Sequence, residues 1–336
     1  MYWYEENNNN NIIISSRIRL ARNLKNYPFY DYLSKEKSKE IINLVNNSIF
    51  NKNNYNNFFD KVDFDNLSKI KQYTMLEKYI ISDTFLESKK PKGLILEKNG
   101  NINIMINEED HIRIQAINNG YNIEKCFEEA NRIDNLLEEN LSFAFNNQYG
   151  YLTSCITNLG TGLRASFMVH IPMLYKYGYI PSIVESITKF GMTIRGMHGE
   201  GTKSFGGIYQ ISNQVTLGKT ENQIIEDLKG ITFQIIEREK ALREGLKENI
   251  NSDTIDKIYR SYGTLKYCKK IKFEEAMICL SNIWLGIYCN ILEKPINNSI
   301  YKIMMSIQPA NIIDKFDIDD KNNIELYRAK YLNSVL

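Results

Sequence analysis

Five arginines of this chain stand in compact polar contexts: Arg17 and Arg19 in Ser15-Ser16-Arg17-Ile18-Arg19, Arg113 after Asn107-Glu108-Glu109-Asp110-His111, Arg164 closing Gly160-Thr161-Gly162-Leu163-Arg164, and Arg195 before Gly196. A guanidinium stays charged and forks bidentately onto phosphate oxygens. A cluster of them can therefore hold a triphosphate and neutralise charge on a phosphoryl group in transit. Arg17 and Arg19 are two apart, which on a strand turns both to one face. Taken singly, each arginine reads better as a solvated charge.

Two carboxylate groups complement them. Glu108-Glu109-Asp110 forms an acidic turn after a buried strand, and Glu200 follows Arg195-Gly196-Met197-His198-Gly199 in a second loop. One carboxylate from each loop would grip a planar guanidinium and align its nitrogen for in-line attack. The same groups would accept the proton that nitrogen must lose, since a free guanidinium has a pKa above ~12. Composition alone favours a solvated acidic turn. Cys155, in Ser154-Cys155-Ile156-Thr157, reads alone as a small buried residue, and beside Arg164 as a thiolate facing a cationic substrate. His111, His170 and His198 lack metal-ligand spacing, and His170 reads as a packed core residue.

The elements that must position these groups alternate irregularly. Segments 94–97 and 101–106 flank Asn99-Gly100, the signature of a tight hairpin. Segments 12–24, 112–117, 151–156, 192–197 and 208–217 also read as strands, and 35–50, 123–143, 163–177 and 181–188 as helices. Thr220 and Gln223 form a capping box opening a long helix toward Asn249, after which only helical patterns follow. The expected fold is α+β, a mainly antiparallel sheet flanked by helices, with an all-helical C-terminal domain. Residues 1–11 read as a tail, 12–240 as the mixed domain and 241–336 as the helical one.

The 336 residues are 43% hydrophobic and 24% charged, the composition of a soluble globular protein. A net charge of +2 gives no global pull toward nucleic acid or anionic membrane, so any phosphate affinity must be local. Five cysteines without a C-x-x-C pair fit the reduced thiols of a cytoplasmic protein. No secretory signal opens the chain, and the apolar run 276–292, interrupted by Ser281, Asn282 and Asn290, falls short of the ~20 residues a membrane helix needs.

The motifs around Arg17, Arg113, Arg164 and Arg195, in that order over residues 15–200, resemble the ATP:guanido phosphotransferases, the family of creatine and arginine kinases. Ser15 to Leu24, Arg164-Ala165-Ser166-Phe167-Met168 and Gln210 to Thr220 are similar to its bacterial protein-arginine kinase branch. The resemblance implies a glutamine-synthetase-like catalytic domain that transfers the γ-phosphoryl group of ATP to arginine side chains of proteins, with Mg2+ held through phosphates and water. It implies nucleotide contacts at Ser15, Ser16, Arg17, Ile18, Arg19, Arg113, Arg164, Ala165, Ser166, Phe167, Met168, Arg195, Gly196, Met197, His198 and Gly199. Tyr79 stands where the branch has a histidine touching nucleotide. Glu109 would be the base, Glu200 the second guanidinium clamp and Cys155 the thiol beside the reacting nitrogen.

Small-molecule kinases of the family carry a long helical domain before the first arginine motif; here fourteen residues precede Ser15, which suits a protein acceptor. The helical tail is similar to the branch's phosphoarginine-binding domain. Ile324-Glu325-Leu326-Tyr327-Arg328-Ala329 replaces its Arg-Asp-x-x-Arg-Ala, so Glu325, Arg328 and Ala329 are the expected regulatory positions. Implied partners are proteins with exposed arginine, a zinc-binding activator protein, a Clp-type protease in a stress response, and a second copy in a homodimer. Rival readings are a phosphagen kinase acting on a free metabolite, or a non-catalytic phosphoarginine adaptor. Gly160 to Ala165 also fits a dinucleotide fingerprint without its βαβ setting, and Gly218-Lys219-Thr220 lacks the first P-loop glycine.

Overall fold

The computed structural model describes residues 2–5, 12–51, 55–197, 201, 204–292, 299–319 and 323–336. The strands are β1 (Ile13–Arg22), β2 (Phe59–Val62), β3 (Gly93–Glu97), β4 (Ile102–Ile106), β5 (Ile112–Asn119), β6 (Phe145–Asn146), β7 (Gly150–Tyr151), β8 (Leu163–His170), β9 (Met192–Gly196) and β10 (Ile208–Asn213). Among the described residues eight of them form one sheet, ordered β2-β3-β4-β5-β1-β8-β10-β9, and β6 pairs with β7. The architecture is the expected antiparallel sheet with flanking helices and a helical C-terminal region.

Local chemistry explains the best-read elements. Gly100 takes the left-handed φ of +76° that a tight β3–β4 turn requires. Antiparallel β4–β5 pairing then sets Arg113 opposite Met105. Helix α1 spans Lys35–Phe50, α2 Lys69–Glu77, α3 Asp83–Glu87, α4 Ile123–Glu138, α5 Pro172–Lys176, α6 Ile180–Thr188 and α7 Glu221–Glu248. The capping box opening α7 is formed: the Thr220 amide donates to Gln223 Oε1 at 2.9 Å and the Gln223 amide to Thr220 Oγ1 at 3.2 Å. Helices α8 (Ser252–Tyr267), α9 (Phe273–Tyr288), α10 (Ile300–Ser306), α11 (Pro309–Phe316) and α12 (Ile324–Val335) follow.

Two expectations fail. Residues 163–177 are not one helix but β8 followed by the short α5. Leu163, Ala165, Phe167 and Val169 are fully buried, and Ser166, Met168 and His170 on the other face are buried too. A strand buried on both faces reads as a continuous apolar run without a period to distinguish it from a helix. Residues 151–156 are mostly loop, because the chain leaves β7 at Tyr151 for the turn that carries Cys155.

The chain folds as two compact units, one holding the described residues of Met1–Trp3, Ser16–Ser166 and Ser212–Leu228, the other those of Tyr4–Ser15, Phe167–Ile211 and Lys229–Leu336. In the first, α4 packs on β5, and Phe64, Ile80, Ile81, Phe85, Leu94 and Met105 form a buried cluster. In the second, α8 packs on α9 and α12 on α8, while Trp284 stacks on His170 with centroids 4.2 Å apart. No helix among the described residues is long and apolar enough to cross a membrane.

Candidate active site

Within the first unit lies a cavity of about 180 Å³. β1 contributes Arg19 and Ala21, the acidic turn Glu109, and β5 Arg113. Cys155, Thr157, Asn158 and Gly162 come from the loop before β8, and Arg164 from β8 itself. Gly162 has φ +63°, and a Cβ there would lie 2.6 Å from the Ala21 carbonyl oxygen, so no larger residue fits this approach. β1 alternates as a strand must. Arg17 and Arg19 share a face, while Ser16 turns away, donating to the Gly120 carbonyl at 2.7 Å and accepting the Asn122 amide at 2.8 Å.

The turn after β4 aims Glu109. Asn107 adopts φ +60°, a conformation asparagine tolerates, and its side-chain amide donates to the carbonyls of Ser38 and Pro91, each at 2.9 Å. Glu108 is fully buried and fully occupied: it accepts from Arg113 at 2.7 Å, from the Glu109 amide at 2.8 Å and from the Ser82 hydroxyl. Arg113 also donates to Glu109 Oε2 at 3.0 Å. Glu109 stays one-third exposed, and its Oε1 makes no hydrogen bond among the described residues. Asp110 Oδ1 accepts from Asn23 at 2.6 Å and from the Ser154 amide at 2.7 Å, which fastens the Cys155 loop to the acidic turn. His111 accepts the Leu24 amide on Nδ1 at 3.0 Å and donates from Nε2 to the Pro28 carbonyl at 2.9 Å. Burial lowers its pKa, in keeping with that neutral tautomer.

Excess positive charge dominates the cavity. Burial first, and then the proximity of Arg17, Arg113 and Arg164, push the Arg19 pKa well below its usual value, with Glu108 opposing. No carboxylate forms an ion pair with Arg19 among the described residues. Arg164 donates to the Ser212 hydroxyl at 3.3 Å, and Asn213 braces its strand, accepting the Ala165 amide at 2.8 Å and donating to the Leu163 carbonyl at 3.0 Å. Half-buried Cys155 sits 3.0 Å from the Thr157 hydroxyl. Arginines around a small cavity, with one carboxylate oxygen and one thiol facing it, can receive a polyanion beside a cationic nucleophile that must lose a proton.

Other expected site residues lie elsewhere. Ser15, Ile18, Ala165, Ser166, Phe167 and Met168 are buried, and the Tyr301 hydroxyl contacts Met168 Sδ at 3.0 Å. Tyr79 follows α2 with φ +57°, its ring 6.5 Å from that of Trp3, and does not line the cavity. Arg195 is exposed at the end of β9 in the second unit, where the Gly196 amide donates to the Gly201 carbonyl at 3.0 Å and the Met197 amide to that of Ile208 at 2.9 Å. His198, Gly199 and Glu200 lie outside the described residues. Glu325 pairs with Lys270 at 3.4 Å, while buried Arg328 donates to the carbonyls of Ile307 and Ile271 at 2.9 and 3.1 Å, and Ala329 is buried. Sequence reasoning missed the parts played by Glu108, Asp110 and Asn213. Their only signal was adjacency to residues already singled out. Among the described residues no group of three or more His, Cys, Asp and Glu could hold a metal ion.

Comparison with known proteins is consistent with this geometry. Residues 40–242 match the ATP:guanido phosphotransferase C-terminal catalytic domain, and residues 251–336 the protein-arginine kinase McsB C-terminal domain. The chain is 43% identical over 305 residues to a protein-arginine kinase of Clostridium novyi (strain NT), covering 89% of this chain and 87% of that protein. It is 42% identical over 325 residues to one from Clostridium kluyveri, covering 96% and 94%. A solved lombricine kinase superposes with a TM-score of 0.61 at 24% identity, covering 69% of this chain and 67% of that one. The duplicated taurocyamine kinase of Schistosoma mansoni, bound to transition-state analogue components, gives 0.64 at 22%, covering 92% of this chain and 47% of that one.

Proposed function

Since this chain belongs to the ATP:guanido phosphotransferase family, we propose that it is a protein-arginine kinase whose transfer step runs in the cavity between Arg19, Glu109, Arg113, Cys155 and Arg164. The observation that carries this reading is the excess of guanidinium charge around Arg19 beside a carboxylate oxygen without a hydrogen-bond partner among the described residues. The arginines hold the phosphates of ATP and stabilise the phosphoryl group as it passes. Glu109 Oε1 receives the proton from the acceptor nitrogen as the P–N bond forms and the bond to ADP breaks. The Cys155 thiol lies beside that nitrogen. The family resemblance assigns Glu200 as the second clamp on the acceptor guanidinium and Arg195 as a further phosphate contact.

A cavity lined by arginines repels a bare cation, so Mg2+ would enter as part of the nucleotide complex rather than on protein ligands, and would there supply neutralisation of phosphate charge. Residues 12–240 form the catalytic part, and 241–336 a helical part for phosphoarginine recognition. The product marks proteins for a Clp-type protease in a cytoplasmic stress response, with a zinc-binding activator and a homodimeric state as further features of this reading.

Mass spectrometry at neutral pH, on a generic protein incubated with this chain and Mg-ATP, tests it. Phosphate on arginine that disappears with Glu109→Ala is the expected result. Phosphate on free arginine alone would make the chain a phosphagen kinase, and none on either acceptor would refute catalysis by this site.

A further inference from the structure

The loop that lines the cavity also faces solvent with residues the transfer step does not use. Cys155, Thr157 and Asn158 line the cavity, yet Ile156 between them is 81% exposed. On the segments bonded to this loop, Phe145 is 55% exposed, Tyr149 and Leu217 45%, and Val215 44%. One exposed apolar side chain needs no explanation, but five on segments fastened to one another do.

These segments are held in register. Tyr151 and Gly160 exchange backbone hydrogen bonds at 2.7 and 3.3 Å, and the Thr216 hydroxyl donates to the carbonyls of Thr157 at 3.0 Å and Leu159 at 2.6 Å. Their backbones press together: a Cβ on Gly150 would lie 2.4 Å from the Gly160 carbonyl oxygen, and one on Gly160 2.5 Å from that of Thr216. The β6–β7 hairpin, the Cys155 turn and the strand exit after β10 therefore form one preorganised crown beside the cavity. It carries no charge: residues 141–163 and 210–218 contain no Asp, Glu, Lys, Arg or His. The cavity it adjoins is lined with arginines.

We propose that this crown seats the polypeptide on either side of the target arginine, and that it favours acceptors whose neighbouring residues are aliphatic or aromatic. The proposal rests on the protein-arginine kinase reading. An arginine side chain reaching the cavity must bring its own backbone to the mouth, and Ile156 stands next in the chain to a residue lining that cavity. An uncharged apolar rim gains nothing from ionised neighbours and would leave them poorly solvated, whereas apolar neighbours bury surface against it. The cavity would thus supply charge recognition of nucleotide and guanidinium, and the crown would supply sequence preference.

The test uses the full chain with Mg-ATP and two neutral peptide sets, each with a central arginine flanked by leucine or by serine. Wild type should prefer the leucine-flanked acceptor in kcat/KM by about fivefold, the factor that partial burial of one such side chain provides. In Ile156→Ser the preference should fall to within about twofold of unity, while KM for ATP stays put. Ile156 is so exposed that the change removes little packing; Tyr149→Ser, read by the same ratio, guards against a folding defect. An unchanged ratio in both variants overturns the docking proposal alone. A shift in oligomeric state by light scattering with the ratio intact identifies a self-association face and also overturns it. Absence of phosphoarginine on every peptide and on whole proteins removes the kinase reading together with this one.

Discussion

Two arginine clusters, one fully buried and one lining a cavity, handle charge in opposite ways. In the second unit, fully buried Arg243 donates to equally buried Glu239 at 2.8 Å and to the His170 carbonyl at 2.7 Å, with the Tyr288 ring centroid 4.6 Å from its guanidinium carbon. Glu239 accepts the Met173 and Leu174 amides at 3.2 and 2.9 Å in addition. Around the cavity of the first unit, Arg19 sits with Arg17, Arg113 and Arg164, and Arg113 already engages both Glu108 and Glu109. A buried charge without a counter-ion costs several kcal/mol. The structural arginine therefore has its own carboxylate, and Arg19, without an ion pair among the described residues, leaves charge for a ligand to complete.

The comparison breaks first at Glu109. Glu109→Ala should lower the transfer rate by about 10²–10⁴, the range for losing a general base. Its pair with Arg113 is part-exposed, so the unfolding free energy should change by no more than about 1 kcal/mol; a rate within tenfold of wild type would sink the assignment. Glu239→Gln attacks the other cluster by leaving Arg243 buried without its counter-ion. Urea unfolding should show a loss of about 3–5 kcal/mol, and a loss under 1 kcal/mol would mean that the pair is dispensable. Arg19→Gln should do the reverse, raising the stability of the nucleotide-free protein by on the order of 1 kcal/mol through relief of like charge. The same variant should lose the rise in Tm that ATP gives wild type. If ATP protects both proteins equally, the cavity charge is not there for nucleotide.

Most cavity residues were legible because their side-chain types advertise their chemistry and strand alternation puts Arg17 and Arg19 on one face. The division of labour within Glu108-Glu109-Asp110 was not. Three adjacent acids look alike until the positive φ of Asn107 turns the chain and distant partners choose among them: Ser82, 26 residues away, takes Glu108, and Asn23, 87 away, takes Asp110. β8 escaped for a related reason, since burial on both of its faces erases the pattern that separates a strand from a helix. The helical C-terminal region showed in its periodicity, yet Arg328 proved to be a buried donor to two carbonyls, which spacing along α12 does not disclose.

The smallest effect is a slope. His170 is buried with its Nε2 2.8 Å from the Ser281 hydroxyl, and burial followed by the charge of Arg243 holds its pKa well below the ordinary value. The groups facing it, Arg243 on α7, Trp284 and Ser281 on α9, offer no carboxylate to a protonated ring, because Glu239 is held by Arg243. The unfolded chain binds a proton near pH 6.5 that the folded chain refuses, so this contribution to stability is complete above that pH and is lost as pH falls below it. Each such histidine adds a slope of at most about 1.4 kcal/mol per pH unit. His111, whose pKa burial also lowers, acts in the same direction. Unfolding free energy measured from pH 7.5 to 5.5 should therefore fall toward acid in wild type and fall less steeply in His170→Asn, whatever packing that variant loses at neutral pH. An identical slope in the two proteins would mean that the second cluster accepts a proton after all, and that its compensation of charge is less complete than its geometry implies.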